Sequence, residues 1–528
     1  MGSHISRNRT CAVLVLFVCL SACGGGGGAS TAASSSSSSS ASEAWVAGVF
    51  QPSSHFAARC QNPRTGTDPT TNMAYPDVQG TTLDENNFLR SWTNELYLWY
   101  SEVPDVDPST YSTTAAYFAV LKTPETTSTG APKDRFHFTD ATSQYEQSSQ
   151  AGVDIGYGLA WDIAVSVPPR QVYVAYIWPG NYAAATAGLT RGQEVLDVDG
   201  VDMVNANDSA SVNTLNEGLA PSAPGSHTFT LKDPVSGTTQ TVTLQASQVT
   251  ETPVPLVTTL STSTGTVGYI LFNDHIATAE GELIAAINQL KAAAVTDLVL
   301  DIRYNGGGYL DIASELAYMI AGPGPTAGEP FDQIAFNSKY PSTNPVTDQP
   351  LTPTPFHTTS QGFSGGAAGA TLPYLGLSRV FVLTGTGTCS ASEAILNGLN
   401  GVNVQVNQIG STTCGKPYGF YPQDNCGTTY FSIEFQGDNA KGFGSYSDGF
   451  SPQNSTTVTS AVLPGCSVAD DFTNPLGNPA EARLAAALAY RTGQTCPTPP
   501  TGVAPPPAAS SSLSVHKALW RENLILRN

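Results

Sequence analysis

The sequence predicts a multidomain α/β protein, with a small, mainly helical region first, a mainly β region next and a larger mixed region last. Three observations predict it. The 528 residues exceed one ordinary domain. Apolar residues recur at helical spacing in the first region, then give way to short alternating strands and glycine turns from 152 to 252. From 253 to 496 strands alternate with helices, which implies sheets covered by helices. Hydrophobic residues make up 40% and aromatics 9%, enough to build real cores, so global disorder is excluded. Only 12% of residues are charged, and 42 acidic against 22 basic residues leave a net charge of −20. No nucleic-acid partner is expected, because phosphate contacts need clustered Lys and Arg. Only eight lysines occur, which makes the place of each one informative.

Residues 1–22 read as an export signal. Arg7 and Arg9 precede the apolar run 12–20, which is too short to span a bilayer as a helix. The run ends in Leu20-Ser21-Ala22-Cys23, which resembles the lipobox of bacterial lipoproteins. That resemblance implies a lipid on Cys23, a membrane attachment through it, and a place in the bacterial cell envelope on the periplasmic face of the outer membrane. Residues 23–44 are Gly- and Ser-rich and predict a flexible tether. Cys60, Cys389, Cys414, Cys426, Cys466 and Cys496 would then meet an oxidising compartment, which favours disulfides. With no C-x-x-C pair and no H-E-x-x-H, neither a metal site nor a metal cofactor is expected.

In the 45–151 region, Thr82-Leu83-Asp84-Glu85 fits a capping box, and Phe88, Leu89, Trp92, Leu96 and Trp99 follow at helical spacing. A second helix is predicted over 113–121. In the 152–252 region, 172–174 and 194–198 read as strands, Asp199-Gly200 as a turn and 183–189 as a short helix. Residues 228–231 and 239–244 read as a hairpin around Ser236-Gly237. This order, opened by Gly156-Tyr157-Gly158-Leu159, resembles a PDZ domain. The resemblance implies that those four residues present backbone N–H groups to a peptide's terminal carboxylate, while the peptide adds a strand to the sheet edge.

In the 253–496 region strands are predicted over 267–272, 297–302, 380–383, 402–409 and 428–435. Helices are predicted over 277–293, 309–320 and 390–399. Residues 497–510 form a Pro-rich linker. The 511–528 tail carries Leu524-Ile525-Leu526 together with Lys517, Arg521 and Arg527 in an otherwise acidic chain. It is read either as a solvated end or as a segment that docks on the acidic body, competing with peptides for the PDZ-like site.

Three segments carry the chemistry. Asp301-Ile302-Arg303-Tyr304-Asn305-Gly306-Gly307-Gly308 ends a strand in glycines that leave backbone N–H groups uncovered. Thr388-Cys389-Ser390-Ala391-Ser392-Glu393 places Ser390 at a helix start, where it is either a cap with Glu393 or a nucleophile beside the helix's positive end. Lys416, in Gly415-Lys416-Pro417, shares the stretch between Glu393 and Glu434 with one other charged residue, Asp424. A lysine so isolated is either a solvated loop residue or a desolvated amine able to act as a neutral base. A fourth motif, Gly362-Phe363-Ser364-Gly365-Gly366, matches a nucleophile elbow but lacks the strand and helix that motif needs, and is read as a loop.

Taken in order, the three segments resemble the C-terminal processing (tail-specific) serine protease family, in its exported lipoprotein form. The D-x-R-x-N-x-G-G segment, the serine before Ala-Ser-Glu and the Gly-Lys pair are all present, with Lys416 26 positions after Ser390. The resemblance implies a crotonase/ClpP-like catalytic domain behind a PDZ domain, acting on polypeptides with free C-termini. It implies Ser390 as nucleophile, Lys416 as general base, and the N–H groups of Gly307 and Ala391 as the oxyanion hole. Many members place a Gln four residues after the lysine. Here Phe420 stands there, and Gln423 is the candidate third member. An Asp found in some members eleven residues after the serine is Gly401 here. The other reading of the same fold is a non-catalytic peptide- or lipophile-binding lipoprotein. Because the Ser390 and Lys416 segments must converge, Cys389–Cys414 is an expected disulfide, and Cys60–Cys496 another, with Cys414–Cys426 and Cys426–Cys466 as alternatives.

Overall fold

In the computed structural model, residues 45–69, 71–456, 459–500 and 524–525 are described. The expected signal at 1–22, Cys23, the 23–44 tether, and the linker and tail from 501 to 523 and from 526 to 528 lie outside the described residues.

Strand Asp297–Asp301 is buried at every position, and Gly265–Leu271, Arg379–Thr384 and Gln405–Gly410 are buried over most of their length. Strands of this kind need cover on both faces. They form a six-stranded sheet in the order Leu256–Thr262, Gly265–Leu271, Asp297–Asp301, Arg379–Thr384, Gln405–Gly410, Gly465–Ser467, antiparallel in the first pair and parallel thereafter. Helices Ala279–Ala292, Leu310–Ala321 and Ala391–Gly401 cover one face, packing Leu283, Leu316 and Ile395 against Ile270, Leu300 and Val382. Helix Ala482–Arg491, for which the sequence reading had no counterpart, covers the other face with Leu484 and Ala487 against Tyr269 and Phe381.

Residues 153–250 build a second, antiparallel sheet. Its order is Val153–Gly156, Thr239–Thr250, Gly225–Lys232, Glu194–Val198, Gln171–Ile177, Leu159–Val165, with Val201–Asp202 beside Glu194–Val198. It closes on its own core of Val172, Val195, Leu215, Phe229, Leu231 and Leu244. Leu159–Val165 is an edge strand.

The N-terminal helix runs Thr82–Leu96. Its cap is Thr81, one residue before the predicted box. Asp84 N–H donates to Thr81 Oγ1 at 3.2 Å and Thr81 N–H donates back to Asp84 Oδ2 at 2.9 Å. Glu85 instead accepts the Gln61 N–H at 2.7 Å. From Trp45 onward the described residues form one compact unit, within which this region has its own cluster of Phe88, Leu89, Trp92 and Phe118. Strand Phe138–Ala141 pairs with Thr428–Phe431, which ends earlier than predicted, and Tyr430 lies among Phe88, Trp92 and Phe118.

The same docking decides the disulfides. Cys60 is bonded to Cys426 rather than to Cys496, because the N-terminal region lies on the hairpin that ends at Cys426. Cys496 follows helix Ala482–Arg491 and reaches Cys466 on the neighbouring edge strand. Cys389–Cys414 is present as expected, with Cα atoms 5.1 Å apart.

Candidate active site

Neighbouring parallel strands Asp297–Asp301 and Arg379–Thr384 release their turns at the same edge of the sheet, where open α/β sheets carry their sites. Asn305, fully buried, joins the two turns. Its Oδ1 accepts the Gly307 N–H and faces His275 Nδ1, both at 2.9 Å. Its carbonyl accepts the Cys389 N–H at 3.2 Å and the Ser392 hydroxyl at 3.0 Å. His275 is sealed in, and burial pushes its imidazole down to about 3, so it stays neutral. Two residues earlier, Arg303 is held by Asp301 at 2.9 Å, Glu481 at 2.8 Å and Asp470 at 2.6 Å. The strand end therefore cannot shift without breaking a buried ion network.

Ser390 precedes helix Ala391–Gly401 with φ of 59°, a left-handed conformation that a non-glycine residue adopts at a cost. Its Oγ is buried and makes no hydrogen bond. Glu393, also buried, supplies the link that fixes it. Oε2 accepts the N–H groups of Ser390 at 3.0 Å and Lys416 at 2.8 Å. Oε1 accepts the Gly415 N–H at 2.8 Å and the Thr413 hydroxyl at 2.5 Å. Burial raises the Glu393 carboxyl, and these hydrogen bonds pull it back. Cys389–Cys414 ties the same two segments covalently. Cys389, Glu393 and Cys414 also lie close enough together to hold an ion, but both sulfurs are committed to the disulfide.

Lys416 is fully buried, and its Nζ lies 4.6 Å from the Phe420 ring and 4.9 Å from that of Phe136. The aromatic residue that stands where a Gln was expected thus forms one wall of the amine's site. Phe136, brought in by the N-terminal region, forms another, and Arg135 donates to the Cys414 carbonyl. Gln423, the candidate third member, lies instead on hairpin strand Gln423–Asn425, where its amide donates to the Asp424 carbonyl at 2.9 Å. Ala391 opens its helix, so its N–H has no acceptor within that helix. The Gly307 N–H is already engaged by Asn305, so an oxyanion would have to compete with that bond. Sequence reasoning missed the bridging roles of Asn305 and Glu393. The second carboxylate oxygen of Glu393 and the second lone pair of Asn305 meet residues distant in sequence. Ser364, in the decoy motif, is a strut: its Oγ accepts the Gly281 N–H at 2.8 Å and donates to the Ala277 carbonyl at 3.0 Å.

A cavity of about 380 Å³ runs from Gly156, Tyr157 and Leu159, past Trp161 and Leu219, to Tyr304, Gly306 and Gly387. Gly158 closes the turn at φ of 80°, where a Cβ would overlap Tyr182. The Tyr157 hydroxyl donates to the Gly218 carbonyl at 2.8 Å and the Trp161 indole to that of Leu219 at 3.0 Å. Edge strand Leu159–Val165 thus faces the end of helix Ser209–Leu219 across the cavity.

Residues 266–419 match peptidase family S41, and residues 84–138 match the peptidase S41 N-terminal domain. The chain carries the domains of peptidase family S41. The S41 domain spans the glycine turn, Ser390 and Lys416, and the N-terminal domain supplies Phe136. A carboxyl-terminal-processing protease of a Picosynechococcus strain is 29% identical over 211 residues, 38% of this chain and 47% of the relative. The chloroplastic carboxyl-terminal-processing peptidase 1 of Arabidopsis thaliana is 26% identical over 257 residues, 48% of this chain and 49% of the relative. The chain spans about half the length of these curated relatives. The crystal structure of an S41-family protein of Bacteroides fragilis shares the fold, with a TM-score of 0.55 at 22% identity, covering 79% of this chain and 98% of that one.

Proposed function

We propose that the chain is a serine endopeptidase with a Ser390–Lys416 dyad. On this reading it is exported and lipid-anchored through Cys23 at the periplasmic face of the outer membrane. It selects polypeptide substrates by their free C-termini through the PDZ-like 152–252 region. The neutral Lys416 amine takes the proton of Ser390 Oγ as that oxygen attacks a substrate carbonyl. Negative charge on the carbonyl oxygen meets the Ala391 N–H and the glycine turn at 306–307. The peptide C–N bond breaks as the substrate's leaving amine takes that proton back from Lys416, and water activated by Lys416 then releases the acyl group. No cofactor enters these steps.

The observation that carries this reading is the Glu393 carboxylate, which accepts from the backbone of both the serine and the lysine. The burial of Lys416 between aromatic rings adds to it, since desolvation favours the neutral amine. The PDZ-like part rests on the edge strand Leu159–Val165 and on the cavity that leads from it toward Gly306. The test is turnover of a dye-labelled unfolded protein. Residues acting as one unit do not lose activity additively. Ser390→Ala, Lys416→Ala and the double variant should therefore fall by a similar factor of about a thousand or more. A folded Lys416→Ala protein that keeps most of its activity removes the dyad.

A further inference from the structure

The tail residues Leu524–Ile525 form a strand that pairs in parallel with Gly308–Tyr309, Leu524 opposite Gly308 and Ile525 opposite Tyr309. Gly308 directly follows Gly307, and its own place is tight: at φ of 132° a Cβ there would meet the His275 carbonyl oxygen at 2.5 Å. The tail strand also comes within 8 Å, Cα to Cα, of strand Tyr418–Gly419, which begins two residues after Lys416. A short strand of this chain thus pairs with the segment that carries the glycine turn and lies close to the segment that carries the lysine. Ser390 and Lys416 are both fully buried in this arrangement.

The sequence favours such docking too, because Lys517, Arg521 and Arg527 flank Leu524-Ile525-Leu526 in a chain of net charge −20. The tail strand lies on the catalytic turn, not in the PDZ-like site with which the sequence reading associated it.

We propose that the strand Leu524–Ile525 is an intramolecular ligand of the catalytic cleft, adding to Gly308–Tyr309 and closing the nucleophile to other polypeptides. The ligand class that the cleft accepts is then an extended peptide with consecutive aliphatic side chains. This rests on the proposed peptidase reading, but it can be tested apart from it. Proline at both tail positions removes the N–H groups that strand addition uses. In the full-length chain, Leu524→Pro with Ile525→Pro should leave the melting curve unchanged and open the cleft. A cleft closed nine-tenths of the time binds a competitor about tenfold more weakly than an open one. A labelled peptide with the sequence of residues 519–528 should therefore bind the Ser390→Ala chain carrying both prolines about tenfold tighter than Ser390→Ala alone. Turnover of unfolded protein should rise with the prolines when Ser390 is intact. Equal peptide affinity and equal turnover with and without the prolines overturn the proposal. A gain in peptide affinity in a chain that turns over nothing keeps tail occupancy and removes the peptidase reading instead.

Discussion

Glu393 is the side chain on which the proposed geometry most depends. A carboxylate can accept from four donors at once, and it does so here with Ser390, Thr413, Gly415 and Lys416. An amide cannot, because its NH₂ would face N–H groups that also donate. Glu393→Gln should therefore leave at least one buried donor unpaired, at about 1–3 kcal/mol each. The expected outcome is a lower melting temperature together with a loss in kcat larger than any change in KM, read by calorimetry and steady-state kinetics on one preparation. An unchanged kcat would mean that the carboxylate merely caps its helix. Ser390 and Lys416 were legible in the sequence because their types and spacing form an ordered pattern. Glu393 was legible only as a cap, because three of its four partners lie on or beside the Ser390 and Lys416 segments in space but 20 to 23 positions away in sequence. For Phe420 the sequence showed the missing Gln, but not that an aromatic face would stand beside the amine in its place.

Elements placed by local pattern were read well, and elements placed by tertiary contact were not. The central strands and their helices follow from runs of buried residues and their spacing. Helix Ala482–Arg491 has apolar positions too, but its Arg483 and Arg491 are buried, which a reading of amphipathic stripes does not anticipate. Nothing local announces that Phe138–Ala141, at the end of the N-terminal region, pairs with a strand nearly 300 residues on. That same distance misled the Cys60 pairing. Two predictions belong at this scale. The Cys389–Cys414 bond joins the serine's turn to the lysine's loop, closing a loop of separation 25. Such a crosslink contributes on the order of 3 kcal/mol. Mild reduction, or Cys389→Ser with Cys414→Ser, should lower turnover while peptide binding to the PDZ-like sheet persists. Equal loss of both would point to global unfolding instead. The second concerns edge strand Leu159–Val165 and the Gly156–Leu159 turn. If that turn receives a terminal carboxylate, amidating the C-terminus of a model peptide should weaken its binding about tenfold or more, as measured by titration calorimetry. Equal affinity for acid and amide removes the carboxylate from the recognition.

At the scale of the whole molecule, the two sheets are joined by charge. Arg191, beside the antiparallel sheet, reaches Asp470 at 2.7 Å and the Tyr304 hydroxyl at 2.6 Å, and Asp470 in turn holds Arg303 under the glycine turn. Its arginine neighbours keep the Asp470 carboxyl well below the usual range against the effect of burial. Other buried acids lack such partners. Burial pushes Glu434 up to about 8 and Asp332 to about 7, and burial together with nearby Glu280 pushes Glu315 to about 9. In the unfolded chain these groups titrate near 4. Between that value and the raised one the folded state holds more protons, so stability falls as pH rises. Buried His275 and His137 act in the opposite sense. Burial pushes them down to about 3 and about 4, so the unfolded chain binds the extra protons and stability falls as pH drops below about 6.5. From about 6.5 upward the two unfolded histidines together bind fewer protons than the folded acids hold, so the acids set the sign of the change, and above about 7.5 the histidine contribution is complete. The melting temperature should therefore decline from about pH 6.5 to about pH 8.5, in a range where most proteins are near their stability plateau. Glu434→Gln keeps an acceptor for the Tyr421 N–H, which donates to Glu434 at 3.0 Å, but carries no proton to lose, so its decline should be shallower. A melting temperature that rises across this range, or a Glu434→Gln slope equal to that of the parent chain, would show that these acids are already ionised in the folded protein.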